Sequence, residues 1–216
     1  MTPRLIKSEK TTNKSNDSNG AMFHIGRYTF KQADSPGEFD QVHALNHSTF
    51  VREIPQHEDS GDGRLVDKFH DKNTYFIALR DERVVGMVTL HGQPPFSVAG
   101  RLPDPGVLEA PGMRPLEIRL LAIEPGERQG PVFGGLLWIV YQHVLDGPHT
   151  HLFISAFEDR LHLYTRLGFE ALGPAVCSGQ ARFIPMVIPV SRMADRHSRL
   201  AGLWEQHVET KSRDSQ

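Results

Sequence analysis

The stretch from Arg114 to Leu137 (RPLEIRLLAIEPGERQGPVFGGLL) constrains the fold more than any other part of the chain. Leu116 to Ile123 is an apolar run of strand length, and Glu124 to Gly130 is a Gly/Pro loop. A helix opens at Pro131, a residue suited to the first helical turn because its missing N–H has no partner there anyway. A strand running straight into a helix N-terminus brings free backbone N–H groups and the positive end of a helix dipole to one place, which suits a phosphate or an oxyanion. Two charges, Glu117 and Arg119, interrupt the apolar strand. Charges in a buried strand are costly unless paired or used, so chemistry is expected around them.

The chain around this stretch has 216 residues, 38% of them hydrophobic, enough for one domain with a proper core. A net charge of −2 gives no basic face for nucleic acid. No apolar run approaches the ~20 residues of a membrane span. The lone cysteine, Cys177, excludes an internal disulfide framework and has no base beside it in sequence to make it a nucleophile. Residues 1–21 are polar, lack the apolar core of a secretory signal and are expected to be a disordered tail, so a cytoplasmic protein is expected. Residues 22–190 read as one domain. Residues 191–216 place Met193, Leu200, Leu203, Trp204 and His207 roughly on one side and read as an amphipathic helix and tail.

Within the domain, Ile25–Gln32 alternates as a first strand and Pro36–Asn46 carries Phe39, Val42 and Leu45 at helical spacing. The segment 49–64 reads as an irregular loop, Lys68–Lys72 as the end of a short helix, and Tyr75–Leu90 as a hairpin turning at Asp81-Glu82-Arg83. Residues 92–115 are too rich in proline and glycine for an interior element. A loop of that length in a compact domain is functional or disordered, and Phe96, Val98 and Leu102 suit it to cover an acyl chain. The helix from Pro131 runs to about Leu145. Strand His151–Ala156, helix Asp159–Leu167 and strands Ala171–Val176 and Arg182–Val190 follow.

This order of elements, with Leu163-Tyr164-Thr165-Arg166-Leu167-Gly168-Phe169 near its end and Glu117-Ile118-Arg119-Leu120-Leu121-Ala122-Ile123 at its centre, resembles the GNAT superfamily of N-acyltransferases over Tyr28 to Val190. The resemblance implies an α/β (α+β) fold with a mixed, mostly antiparallel sheet of about six or seven strands flanked by helices. A weaker likeness to acyl-homoserine lactone synthases and N-acyl amino acid synthases rests on Thr49-Phe50-Val51-Arg52, Asp67-Lys68-Phe69-His70 and Tyr75. Those synthases usually carry a second acidic residue where His70 stands.

What the resemblance implies is an enzyme that moves an acyl group from a pantetheine thioester, acyl-CoA or acyl-phosphopantetheine on an acyl carrier protein, to a small amine or amino acid. It implies no metal, and it is compatible with a homodimer. Glu117 takes the role of general base and Tyr164 that of acid for the departing thiolate. Backbone N–H groups at Leu121, Ala122 and Ile123 hold the oxyanion and the donor. The phosphate loop comprises Arg128, Gly130, Val132, Phe133, Gly134 and Gly135. It departs from the family's Q/R-x-x-G-x-G/A pattern, because Pro131 and Phe133 occupy the two small positions counted from Arg128. The pantetheine-binding Asn seven residues before the family tyrosine is Phe157 here, with Ser155 as a substitute. Arg52, His57, Arg114 and Arg119 are candidates for gripping a carboxylate on the acceptor. Two bland readings stand beside these: Glu117 pairs with Arg119 as a structural ion pair, and the whole chain is a binding module for a carrier or partner domain. The twelve histidines include no triplet spaced as metal ligands.

Overall fold

The computed structural model describes residues 22–193. The N-terminal tail and the C-terminal helix expected from the sequence lie outside these residues, apart from 191–193. Among the described residues nine strands, β1 (Phe23–Ile25), β2 (Tyr28–Gln32), β3 (Thr74–Arg80), β4 (Arg83–His91), β5 (Pro115–Ile123), β6 (His151–Phe157), β7 (Glu170–Ala171), β8 (Val176–Ser178) and β9 (Ala181–Pro189), form one sheet in the order β1-β2-β3-β4-β5-β6-β9-β7, with β8 also pairing β9. Every pairing is antiparallel except that of β5 with β6. The mixed, mostly antiparallel sheet is the expected one, with more strands than the sequence discloses.

The extra strands come from interruptions. The single first strand expected over Ile25–Gln32 is two, β1 (Phe23–Ile25) and β2 (Tyr28–Gln32), because Gly26 adopts φ 58° and reverses the chain. Helix α1 (Pro36–His47) starts at a capping box between Ser35 and Glu38, an arrangement worth about 1 kcal/mol. It runs on into a π-helical turn, Ser48–Glu53, where a loop was expected. Strands β3 (Thr74–Arg80) and β4 (Arg83–His91) form the expected hairpin. Asp81 and Glu82, both at positive φ, make its two-residue turn.

Residues 92–114 are not open coil. They hold two 3₁₀ turns, Ser97–Arg101 and Pro105–Glu109, and bury Val98, Leu102 and Leu108 against Phe153 in a small core of their own. Those side chains are spent on packing, so they do not cover an acyl chain.

Strand β5 (Pro115–Ile123) leads through the 3₁₀ turn Pro125–Glu127 into α2 (Val132–Asp146). Then come β6 (His151–Phe157), α3 (Leu161–Leu167), β7 (Glu170–Ala171), β8 (Val176–Ser178) and β9 (Ala181–Pro189). The main core joins one face of the sheet to α2 through Val132, Leu136, Ile139, Val140 and Val144, while α1 covers part of the other face with Val42 and Leu45.

Candidate active site

The parallel pairing of β5 with β6 runs only from Pro115↔His151 to Ile118↔Ile154. Beyond it β5 bulges: its register against β4 shifts between Met87 and Thr89, and Leu120 sits at φ 51°. The two strands part there and open a cleft of about 390 Å³. Residues from both faces of the sheet line it. Ser97, Arg101, Glu117 and Arg119 contribute polar and charged groups to its lining, and Leu136, Val140, Ile154 and Phe169 contribute apolar ones. A second, apolar cavity of about 210 Å³ shares Ile118, Phe133, Leu137, Val140, Leu167 and Phe169 with the first and continues to Trp138, Ile188 and Met193.

Glu117 is 1% exposed, and its carboxylate is fully engaged. Oε2 accepts from the Ser97 amide at 2.8 Å, and Oε1 accepts from the Ser97 hydroxyl at 2.5 Å and the Val98 amide at 2.9 Å. It thus caps the 3₁₀ turn Ser97–Arg101, using a charge to satisfy amides that the turn leaves free. Arg119 is not its main partner: Arg119 Nε lies 3.9 Å from Oε1, whereas Nη1 and Nη2 reach Asp67 at 2.7 and 2.9 Å. Asp67 also accepts from Asn73 Nδ2 at 2.6 Å and from the Phe69 amide. Burial works to raise the Asp67 pKa, but Arg119 and these donors outweigh it and hold it below the usual carboxylate range. Beside them, burial pushes the Tyr75 phenol up to about 12.

Tyr164 on α3 faces the cleft, its ring edge-on to Phe169. Burial raises its pKa against the opposing charge of Arg160, so the hydroxyl stays protonated, the form a proton donor needs. Leu121, Ala122 and Ile123 line the cleft on the stretch of β5 that has left β6. Backbone groups on that side have no partner strand among the described residues.

The phosphate loop divides. Val132 is fully buried, and a Cβ on Gly135 would stand 2.2 Å from the Phe30 ring, so Val132 and Gly135 serve the packing of α2 on the sheet. Arg128 is taken by Glu53 in a two-pronged ion pair and by the Ile123 carbonyl at 2.9 Å. Glu127 is buried under Tyr28, whose hydroxyl donates to it at 2.6 Å, and Arg80, which together anchor the loop. Phe133 turns towards the core and lines both cavities. What remains for an anion are the amides of Val132, Phe133 and Gly134, which precede the first intrahelical bond from the Gly135 amide to the Pro131 carbonyl, whereas the Gly130 amide in the exposed turn before them donates to the Glu127 carbonyl.

Of the four candidates for the acceptor, Arg119 lies in the cleft but is committed to Asp67. Arg52 is exposed on the π-helical turn. His57 is exposed near the cleft; partial loss of hydration lowers its pKa, and the charges of Asp67, Arg101 and Arg119 reach it. Arg114 precedes β5 at the end opposite the splay and donates to the Pro148 carbonyl, so it is outside the site. The sequence reading missed Ser97, Arg101 and the Asp67–Arg119 bond. Neither loop residue carried a local signal, whereas the bond's acidic half lay in a segment already singled out. No group of three metal-ligating side chains occurs among the described residues.

A family model described as "N-acyl amino acid synthase FeeM" matches residues 41–187, more than half of the chain. Among solved structures, FeeM, an N-acyl amino acid synthase from uncultured soil microbes, superposes with a TM-score of 0.62 at 16% identity, covering 78% of this chain and 93% of that one. BjaI, a CoA-dependent acyl-homoserine lactone synthase, gives 0.58 at 22% over 76% and 82%. The acyl-homoserine lactone synthase LasI gives 0.59 at 14% over 79% and 91%. GNAT acetyltransferases share the fold, among them one from Lactobacillus plantarum described as a putative N-acetyltransferase, at 0.56 and 15% over 76% and 99%. No curated protein matches the sequence.

Proposed function

Because the chain belongs to the N-acyl amino acid synthase FeeM family of acyltransferases, we propose that it transfers an acyl group from a phosphopantetheine thioester to the amine of an amino acid. The observation that carries this reading is the cleft itself. It combines polar groups of Ser97, Glu117 and Arg119 with an apolar lining from α2 and α3 that continues into the second cavity, as a polar acceptor and an acyl chain require.

The acceptor's ammonium loses its proton towards Glu117. Because the Ser97 hydroxyl donates to Glu117, its oxygen lone pairs are left to accept from the amine, and the proton passes through Ser97. The amine nitrogen then attacks the thioester carbonyl, and the developing oxyanion meets backbone amides of β5 near Leu121 to Ile123. As the C–S bond breaks, the thiolate takes the Tyr164 proton, the nitrogen gives up its second proton to the tyrosinate left behind, and Glu117 releases the first proton to solvent. The net change is thioester plus amine to amide plus thiol. The donor we assign is the carrier-protein form. With Arg128 paired to Glu53 and Pro131 at the helix start, the amides of Val132, Phe133 and Gly134 suit one phosphate rather than a pyrophosphate and its nucleotide.

Thiol release from matched acyl-CoA and acyl-carrier-protein donors, each with a panel of amino acids, tests both parts. Turnover with an amino acid is expected, faster from the carrier protein. Faster turnover from acyl-CoA sinks the donor assignment, and binding without turnover leaves only a binding module.

A further inference from the structure

Three of the four arginines that line the cleft differ in what they hold. Arg119 has Asp67 and Arg128 has Glu53, each through both guanidinium prongs. Arg101 has no carboxylate within ion-pair distance among the described residues. It closes the 3₁₀ turn that Glu117 caps, and its guanidinium lies 5.2 Å from the centre of the Phe183 ring. Nη1 donates only long bonds, 3.3 Å to the Ser97 carbonyl and 3.4 Å to the Ser155 hydroxyl, and Nε is buried with no partner at all. Burial lowers its pKa, with the charge of Glu117 working the other way. A buried N–H left without a partner is costly and rare, and a planar fork of donors in that state matches a carboxylate.

We propose that Arg101 binds the α-carboxylate of the acyl acceptor and so restricts the enzyme to amines that carry an acid on the adjacent carbon. This rests on the acyl-transfer reading above. The amine and carboxylate of an α-amino acid sit on one carbon, and Arg101 Nη1 touches the same residue, Ser97, that stands between the amine and Glu117. One 3₁₀ turn therefore offers a cation for the carboxylate at its end and a route to an anion for the ammonium at its start. The zwitterion is matched at both poles, and a simple amine at only one.

The test uses the full chain and two product-like probes, N-decanoyl-phenylalanine and N-decanoyl-phenethylamine, which differ only in the carboxylate. Binding is measured by calorimetry, so no turnover is needed. Wild type is expected to bind the acid about 10- to 100-fold more tightly than the amide lacking it. Arg101→Met is expected to erase that ratio while binding the carboxylate-free probe as wild type does, and Arg101→Lys, which keeps the charge but loses the fork, to recover part of it. The probe without the acid also shows that each variant is folded. An unchanged ratio in Arg101→Met overturns the proposal and leaves acyl transfer standing. If Arg101→Met instead weakens free phosphopantetheine and keeps the ratio, the guanidinium holds the donor's phosphate and the proposal again fails. Failure of wild type to bind either probe overturns the acyl-transfer reading, and Arg101's role with it.

Discussion

Ser97 gives both its amide and its hydroxyl to the buried carboxylate of Glu117, at 2.8 and 2.5 Å, so one residue fixes the position of a turn and lies between an ionised group and the cleft. The two duties separate by mutation. Ser97→Ala keeps the amide bonds and removes only the hydroxyl. Turnover is expected to fall by about 10²-fold while stability drops by no more than about 1 kcal/mol. Glu117→Gln places an NH₂ among amide donors and is expected to cost about 1 to 3 kcal/mol as well as the rate. Steady-state kinetics with urea unfolding reads both; a wild-type rate in Ser97→Ala removes the hydroxyl from the proton path.

Arg119 and Asp67 are 10% and 8% exposed in their side chains, and neither has another strong ionic partner. Removing one charge leaves the other buried and uncompensated. Asp67→Asn is therefore expected to destabilise the fold by about 3 kcal/mol and to lower activity through movement of Arg119 at the cleft wall. The double variant Asp67→Asn/Arg119→Met is expected to regain most of the stability but not the activity. Denaturant unfolding decides this: a double variant no more stable than the single shows that the pair is not the cause.

How much of this was legible in the sequence follows from the range of the interactions. The β5-loop-α2 unit and the β3–β4 hairpin are local patterns of apolar period and turn chemistry, and they read correctly. The division of the first strand turns on the backbone of Gly26 alone. Glu117 was legible as an anomaly in its strand, but its partners come from a Pro/Gly-rich segment 19 and 20 residues away whose composition resembles that of a disordered loop. Asp67 lies 52 residues from Arg119, and no periodicity spans that distance. Nothing local in the sequence marks Arg101; the fold sets its guanidinium against the Phe183 ring with no carboxylate within ion-pair distance among the described residues.

Gly135 serves the packing of α2 on the sheet. A Cβ there meets the Phe30 ring at 2.2 Å, and Phe30 is itself fully buried. Gly135→Ala is expected to destabilise by about 1 to 3 kcal/mol through overpacking, even though alanine is the better helix former. Donor affinity is expected to stay near wild type. Phe30→Leu added to Gly135→Ala is expected to restore part of the lost stability. A stability-neutral Gly135→Ala that weakens donor binding instead returns the residue to the phosphate loop.

The fold holds several imidazoles in poor solvent. Burial lowers the pKa of His43, His91, His143 and His149 from their ordinary 6.5. Between that value and the lowered ones the unfolded chain binds more protons than the folded one, so this contribution to stability is complete above about pH 6.5 and is lost as the pH falls below it. Melting temperatures taken from pH 8 to pH 5 are expected to be flat at first and then to decline from about 6.5 downwards. A profile flat to pH 5 shows that these rings stay solvated.

Tyr164 faces the cleft from α3 with a raised pKa, and Phe169 packs edge-on against its ring. The ring is held by apolar contacts that phenylalanine also makes, so Tyr164→Phe is expected to leave stability within about 0.5 kcal/mol of wild type. As the proton donor to the leaving thiolate, its loss is expected to lower kcat by about 10²-fold with KM little changed, because a proton delivered in the transition state contributes little to ground-state binding. Thioesters with more acidic thiols need that proton less. Acyl transfer from a thiophenol ester is therefore expected to narrow the gap between Tyr164→Phe and wild type. An equal deficit with both leaving groups assigns Tyr164 to positioning the substrate rather than to proton transfer.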